Sequence, residues 1–279
     1  MNEVQFGCDL QYEILAPTTF LFQIGVAQNG NQICKGEFLK TDPVVNIEQF
    51  SMGIEQNRVH RIVVNPCTFS LHYEGVVQID PELDPPKELL ELPYGELPPW
   101  VLPYLNPSRY CESDLLGNFA MSEFGALPQG YSRVKAICDW TYKHLIYMSG
   151  TTDSQTTARD VLVQRRGVCR DFAHLAISLC RGLNIPARYV SGFAVNLNPP
   201  DFHGFFEAYL GERWYLFDAS RLAPVGGLVR IGCGQDAANV PFASLMGTAN
   251  LKNKNVWATA TDMTPILQSS NEANAVSTA

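Results

Sequence analysis

Strict alternation of apolar and polar residues opens the chain. From Val4 to Ile14 every second residue is apolar, and most of the residues between them are polar. A period of two places the apolar side chains on one face of a half-buried β-strand. The segments TTFLFQIGVA, VHRIVV and CTFSLHYEGVVQI are typical of further strands, and no helical period is visible before about residue 85. The pattern therefore predicts a small antiparallel β-domain over residues 1–85.

Prolines mark the end of this pattern. Eight of them fall between residues 81 and 107. Because proline fixes φ and lacks an N–H donor, neither a helix nor a central strand is expected there. We predict a linker over residues 86–112 that packs on the following domain through Trp100, Tyr104 and Leu105.

Helical spacing replaces the alternation after this linker. RVKAICDWTYKHLIY, TTARDVLVQRR and CRDFAHLAISLCRGL predict three helices, and the third carries an apolar stripe. ARYVSGFAV, HGFFEAYL and RWYLFDA predict strands that follow it. A second domain with helices and strands is therefore predicted over residues 113–262. The polar tail over residues 263–279 is predicted to be disordered.

Composition narrows the class of protein. Apolar residues make up 46% of the 279 residues, which predicts a packed core, and the net charge of −8 argues against a nucleic-acid partner. No apolar run approaches the roughly 20 residues of a membrane span, and no signal-peptide pattern is visible, so we expect no membrane association and a cytoplasmic location. The eight cysteines form no CxxC pair and the five histidines are dispersed, so free thiols are expected, with no metal and no cofactor.

One cysteine stands at a predicted helix start. The helix cannot begin much before Val168, so Cys169 falls in its first turn. There the free N–H groups and the positive end of the helix dipole favour an anion such as a thiolate. A buried free cysteine is nevertheless common in any core. A nucleophilic role therefore requires a base and an orienting acid nearby.

A predicted hairpin supplies both groups. If Gly211 and Glu212 form a two-residue turn, then His203 and Asp218 share one face as diagonal neighbours, about 7–8 Å apart at Cα. A three-residue loop would separate them, and each residue taken alone is more typical of a loop or a strand end. Together with Cys169 they form a nucleophile, a base and an orienting acid. His174 lies about 140° around the helix from Cys169, which indicates a structural role.

These segments resemble a known family. GVCRDFAHLAISLCRGLNIPARYVSGF resembles the nucleophile segment of the bacterial transglutaminase-like cysteine peptidases, and DFHGFFEAYLGERWYLFDAS resembles their histidine and aspartate segment. PSRYCESD, RIGCGQDAANVP and the N-terminal strands are also similar to parts of that family. The resemblance implies an α+β fold with a papain-like core, in which the helix carrying the cysteine packs on an antiparallel sheet, preceded by a small antiparallel β-domain. It implies that Cys169 is the nucleophile, His203 the general base and acid, and Asp218 the orienting acid.

The chain departs from that family at two places. His203-Gly204-Phe205 stands where the family usually has His-Ala-Trp, and Asp218-Ala219-Ser220 stands where it usually has Asp-Pro-Thr. We expect the first departure to change the substrate pocket beside the histidine. We expect the second to change the turn after the aspartate.

The function expected from these residues is thiol-dependent hydrolysis or acyl transfer on a peptide or protein amide, through a thioester acyl-enzyme. The Cys169 N–H and a second donor, for which Gln164 is a candidate, would hold the oxyanion. Hydrolysis is favoured over transamidation because water is always available. The alternative is a protein-binding module on the same scaffold with little or no turnover, and the intact triad argues against it. The sequence leaves the substrate and the oligomeric state open.

Overall fold

Strands fill the first third of the chain, as the alternating pattern predicts. The structure is a computed structural model, and it describes residues 2–261 and 274–279. The strands of this region are β1 (Asn2–Ile14), β2 (Thr18–Phe22), β3 (Gln32–Asp42), β4 (Ile47–Met52), β5 (Asn57–Val64), β6 (Cys67–Ile79) and β7 (Glu82–Asp84).

In the part of the chain that the structure describes, four α-helices and two short strands follow the proline-rich segment, and a run of strands follows the last of these helices. The elements are α1 (Ser113–Phe124), α2 (Tyr131–His144), β8 (Ile146–Tyr147), α3 (Ala158–Gln164), β9 (Arg166–Gly167), α4 (Cys169–Gly182), β10 (Ala187–Ala194), β11 (Phe202–Leu210), β12 (Arg213–Phe217), β13 (Leu228–Gly234), β14 (Ala243–Met246), β15 (Ala249–Ala260) and β16 (Ala275–Ser277).

Two four-stranded sheets enclose the N-terminal hydrophobic core. Their strand orders are β15-β1-β6-β3 and β14-β2-β5-β4, with antiparallel pairing throughout. The apolar face of β1 meets a stack of fully buried aromatic rings that includes Phe20, Phe22 and Phe69. Burying each of these side chains contributes about 1.5–3 kcal/mol, so the period-two pattern specifies the face on which the sheets meet.

The last two strands of these sheets come from far along the chain. The patterning assigns residues 113–262 to the second domain, but β14 pairs with β2 and β15 pairs with β1. Val256 of β15 is buried in the N-terminal core. The predicted boundary is therefore wrong for residues 243–260, because strand patterning identifies a strand without identifying its partner.

The second core lies between helix α4 and the sheet β12-β11-β10-β13. The predicted apolar stripe of α4 is buried there, together with inward-facing residues of the sheet such as Phe206 and Ala208. A two-residue turn joins β11 to β12, with Leu210 opposite Arg213 and positive φ at Gly211 and Glu212. This is the turn that the sequence predicts, and it fixes the register of the hairpin.

The proline-rich segment packs against the outer end of the β11–β12 hairpin. Tyr104 is buried with its ring against Trp214, and Leu105 is partly buried. Trp100 is 52% exposed, although one edge of its ring contacts Tyr209. The predicted burial is therefore right for Tyr104 and wrong for Trp100, because the hairpin covers only one side of the indole.

The C-terminus is ordered where the structure describes it. The tail over residues 263–279 is predicted to be disordered. Its first part, residues 263–273, lies outside the described residues. Beyond that point, β16 pairs with β7, Val276 is buried, and the backbone oxygen of Thr278 accepts a hydrogen bond from Asn29. The prediction is wrong for residues 274–279, because two apolar residues in a polar segment suffice for an edge strand to dock.

Candidate active site

Cys169 begins helix α4, as predicted. The Asp171 carboxylate accepts the Val168 N–H at 2.8 Å and the Thr152 hydroxyl at 2.6 Å, and so closes the helix N-terminus. A side chain at Gly167 would collide with Asp171, because a Cβ there would lie 2.7 Å from it. The glycine and the aspartate of the GVCRD motif therefore hold Cys169 at a capped helix start, where it remains partly exposed.

His203 and Asp218 meet as the hairpin register predicts. The Nε2 of His203 lies 3.0 Å from an Asp218 carboxylate oxygen, and both side chains are buried. The carboxylate also accepts the Ser220 N–H and hydroxyl on one oxygen and the Ala223 N–H on the other. These hydrogen bonds fix the orientation of the Asp218 carboxylate. Because Nε2 of His203 is bonded to Asp218, Nδ1 is the ring nitrogen that is available to the neighbouring Cys169.

The electrostatics of this pair favour a charged imidazole. Burial alone would lower the pKa of His203, but Asp218 and the neighbouring Cys169 raise it to about 10. Burial acts to raise the pKa of Asp218, and His203 and Ser220 outweigh it, so the pKa of that carboxyl lies below its usual range. The two groups therefore form a carboxylate–imidazolium pair at neutral pH.

Cys169 and His203 line one cleft of about 680 Å³. Its walls combine aromatic side chains with small and polar ones, and part of one wall comes from the N-terminal sheets, through Ala243 and Ser244 of β14 and Lys254 of β15. Lys254 is paired with Asp201 at 2.6 Å. The β-domain thus contributes a wall of the cleft, through strands that return to it from the C-terminal half.

Gln164 does not lie in this cleft. It is exposed at the end of α3, outside the set of residues that line the cavity around Cys169. The structure therefore gives no support to Gln164 as an oxyanion donor. The reason is local, since Arg165 adopts a left-handed conformation after α3 and the chain turns before it reaches Cys169.

Tyr147, and not Gln164, lines the cleft together with Cys169. It pairs with Gly167 through the short parallel strands β8 and β9. Burial and the neighbouring Cys169 raise the pKa of Tyr147, so its hydroxyl stays protonated. Sequence reasoning missed this residue because two-residue parallel strands leave no periodic signal.

His174 faces away from the sulfur, as its helical position predicts. Its Nε2 accepts the Ala237 N–H at 3.1 Å, and its ring stacks on Tyr110. Burial lowers the pKa of His174 to about 3, so the ring is neutral. The histidine anchors the loop that carries Ala237 and Ala238 into the cleft wall.

The structure shows what Gly204 and Ser220 do at the two places where the chain departs from the family pattern. The Tyr189 hydroxyl rests on Gly204, where a Cβ would lie 2.4 Å from it, so glycine makes room for a tyrosine in the cleft. Ser220 supplies the hydroxyl that holds Asp218, a role that its chemistry shares with threonine.

All eight cysteines are free thiols. Within residues 2–261 and 274–279, no cluster of three or more His, Cys, Asp or Glu side chains is placed to hold a metal ion. In the same part of the chain, no helix has the length and apolar character of a membrane span.

Two family models match the chain. One describes the transglutaminase-like superfamily core and covers residues 121–219, and the other describes the bacterial transglutaminase N-terminal domain and covers residues 3–87. The crystal structure of a proposed cysteine protease from Cytophaga hutchinsonii is 42% identical in sequence. It superposes with a TM-score of 0.95 over 99% of this chain and 97% of that one.

Two mycobacterial proteins match shorter stretches. An uncharacterized protein from Mycobacterium leprae is 32% identical over 118 residues, which cover 38% of this chain and 41% of that protein. An uncharacterized protein from Mycobacterium tuberculosis is 44% identical over 59 residues, which cover 21% of this chain and 19% of that protein. The matched regions therefore span less than half the length of either mycobacterial protein.

Proposed function

Since the chain belongs to the transglutaminase-like superfamily, we propose that it is a thiol hydrolase that cleaves amide bonds, peptide bonds included, through a thioester on Cys169. The observation that carries this proposal is a cysteine at a capped helix start in the same cleft as a buried His203–Asp218 pair. A nucleophile, a base and a group that orients the base are what acyl transfer requires.

The first half of the reaction forms the thioester. The Cys169 thiolate attacks the amide carbonyl carbon, a C–S bond forms, and the carbonyl oxygen takes the negative charge. His203 then gives its proton to the nitrogen, the C–N bond breaks and the amine leaves. In the second half, His203 takes a proton from water as the oxygen of that water attacks the thioester. The acid leaves and the thiolate is restored.

Tyr147 supports the oxyanion in this proposal. Its side chain lines the cleft together with Cys169, whose backbone N–H is the donor a substrate oxygen would use. The tyrosine side chain is 41% exposed, so it has room to turn when a substrate enters. The substrate oxygen would then receive one hydrogen bond from the Cys169 N–H and a second from the tyrosine hydroxyl.

Selective alkylation tests the proposal. At neutral pH, iodoacetamide should label Cys169 at least about tenfold faster than Cys34 and Cys67, because the positive charge of the neighbouring His203 favours attack by the Cys169 sulfur. These two cysteines are the matched control, since they share its intermediate exposure. His203→Ala should bring the labelling rate of Cys169 down to theirs. Equal rates for the three thiols in the unmodified protein would refute an activated nucleophile and favour a binding module.

The pH profile should carry the signature of His203. Since the pKa of His203 is raised to about 10, the imidazolium keeps the proton for the leaving amine up to that pH, and kcat/KM should fall only near pH 10. Asp218→Asn removes the negative charge that raises this pKa, so the alkaline limb should move down by about one unit or more. Ser220→Ala keeps the carboxylate and should move the limb less. An alkaline limb near pH 6.5 in the unmodified protein would contradict this assignment.

A further inference from the structure

We infer that strand β14 binds the main chain of the substrate, and that the substrate is therefore an extended segment of polypeptide. This inference rests on the proposed function and adds the substrate class. Strand β14 is the outermost strand of the sheet β14-β2-β5-β4. Two of its residues, Ala243 and Ser244, line the cleft that holds Cys169 and His203.

The register of β14 determines which of its backbone groups are free. The Gln23 N–H donates to the Phe242 carbonyl at 3.0 Å, and Ala243 lies opposite Phe22. In an antiparallel ladder, residues alternate between those that bond to the partner strand and those that point away from it. Phe242 and Ser244 therefore bond to β2, whereas the N–H and C=O of Ala243 point outward.

These outward groups have no protein partner in the part of the chain that the structure describes. Neither Ala243 nor Leu245 has a backbone hydrogen bond outside the β2 ladder there. An unpaired strand edge is a template for another extended chain. Ala243, which carries two of these outward groups, lines the cleft that holds Cys169.

The side chains around this edge suit a backbone that passes close by. Ala243 and Ser244 are small and leave the edge accessible. Leu245 and Met246 are 41% and 68% exposed, and they offer apolar contacts to the alternate side chains of a paired strand. The edge of β14 would therefore bind the main chain of the substrate and accept many different side chains.

A proline substitution tests the inference. Ala243→Pro removes the outward N–H and leaves the β2 ladder intact, because that N–H does not point to β2. For hydrolysis of fluorescein-labelled casein, we expect kcat/KM to fall about five- to tenfold, the effect of one lost hydrogen bond. Hydrolysis of p-nitrophenyl acetate, which has no peptide backbone, should fall much less than hydrolysis of casein. Ala243→Gly keeps the N–H and should lose less casein hydrolysis than Ala243→Pro.

A second measurement does not depend on the variant folding. A casein peptide that the unmodified protein cleaves is compared with versions N-methylated at single positions next to the cleaved bond. Methylation should lower the cleavage rate about tenfold at alternate positions on one side of that bond, because only alternate N–H groups face β14. Equal rates for all the methylated peptides would overturn the inference.

The outcomes separate this inference from the proposed function. If p-nitrophenyl acetate does not acylate Cys169, the proposed function itself fails. If Cys169 is acylated but casein is not cut, the polypeptide substrate class is wrong. If casein is cut equally by Ala243→Pro and the unmodified protein, only the role of β14 is overturned.

Discussion

Replacing Cys169 with alanine should lower amide hydrolysis by about 10³-fold or more, because no other group in the cleft can form the thioester. His203→Ala should cause a loss of similar size, since the same imidazole activates the thiol and protonates the leaving amine. Both residues act in one covalent cycle, so the double variant should be little worse than either single one. The measurement is kcat/KM on a peptide amide that the unmodified protein cleaves.

Two further variants sharpen this prediction. Cys34→Ala removes a thiol of intermediate exposure that does not line the cleft and should leave the activity unchanged. Asp218→Ala should cost less than Cys169→Ala, because water can partly replace an orienting acid. Unaltered hydrolysis by Cys169→Ala would show that the nucleophile has been assigned wrongly.

Glu207→Gln should destabilise the fold by about 3–5 kcal/mol, because it removes the buried carboxylate that neutralises the guanidinium groups of Arg188 and Arg230. Glu207 is fully buried in strand β11, where Arg188 donates to its carboxylate at 2.7 Å and Arg230 is hydrogen-bonded to it as well. Burial acts to raise the pKa of Glu207, but the two arginines lower it below the ordinary range, so the group is a carboxylate. Glutamine keeps the shape of the side chain, removes the charge and replaces one acceptor oxygen with an NH2 donor.

This charge cluster joins distant parts of the chain. Arg188 also lies 3.4 Å from Glu55 of the N-terminal region, and Arg230 donates to Thr278 near the C-terminus. Breaking it should therefore lower the denaturant midpoint of the whole protein. The matched control is Glu48→Gln, which breaks an exposed pair with Arg61 and should cost less than about 1 kcal/mol. Equal effects of the two substitutions would show that the buried cluster contributes no more than a surface ion pair.

The parts of the site built from local pattern could be predicted from the sequence. The apolar stripe fixed where α4 begins, and so placed Cys169 in the first turn. The parity of a two-residue turn placed His203 and Asp218 on one face, and the structure has them hydrogen-bonded. Both predictions depend only on backbone periodicity, which the order of apolar and polar residues reports directly.

The parts that depend on long-range pairing could not be predicted. Strands β14 and β15 have strand-like patterns, but nothing in those patterns says that they pair with β2 and β1, more than 200 residues earlier. Tyr147 reaches Cys169 only because β8 and β9 pair side by side. Gln164 is closer to Cys169 in sequence, and the turn at Arg165 directs the chain elsewhere. Sequence separation is a poor guide wherever tertiary contacts decide the position.

Trapping the acyl-enzyme tests the central claim most directly. The protein is mixed rapidly with p-nitrophenyl acetate, quenched in acid and mapped by mass spectrometry. We predict a burst of p-nitrophenolate equal to the enzyme concentration, with a single acetyl group on Cys169 and none in His203→Ala. No acetyl group on Cys169, or acetylation spread evenly over Cys169, Cys34 and Cys67, would contradict the account.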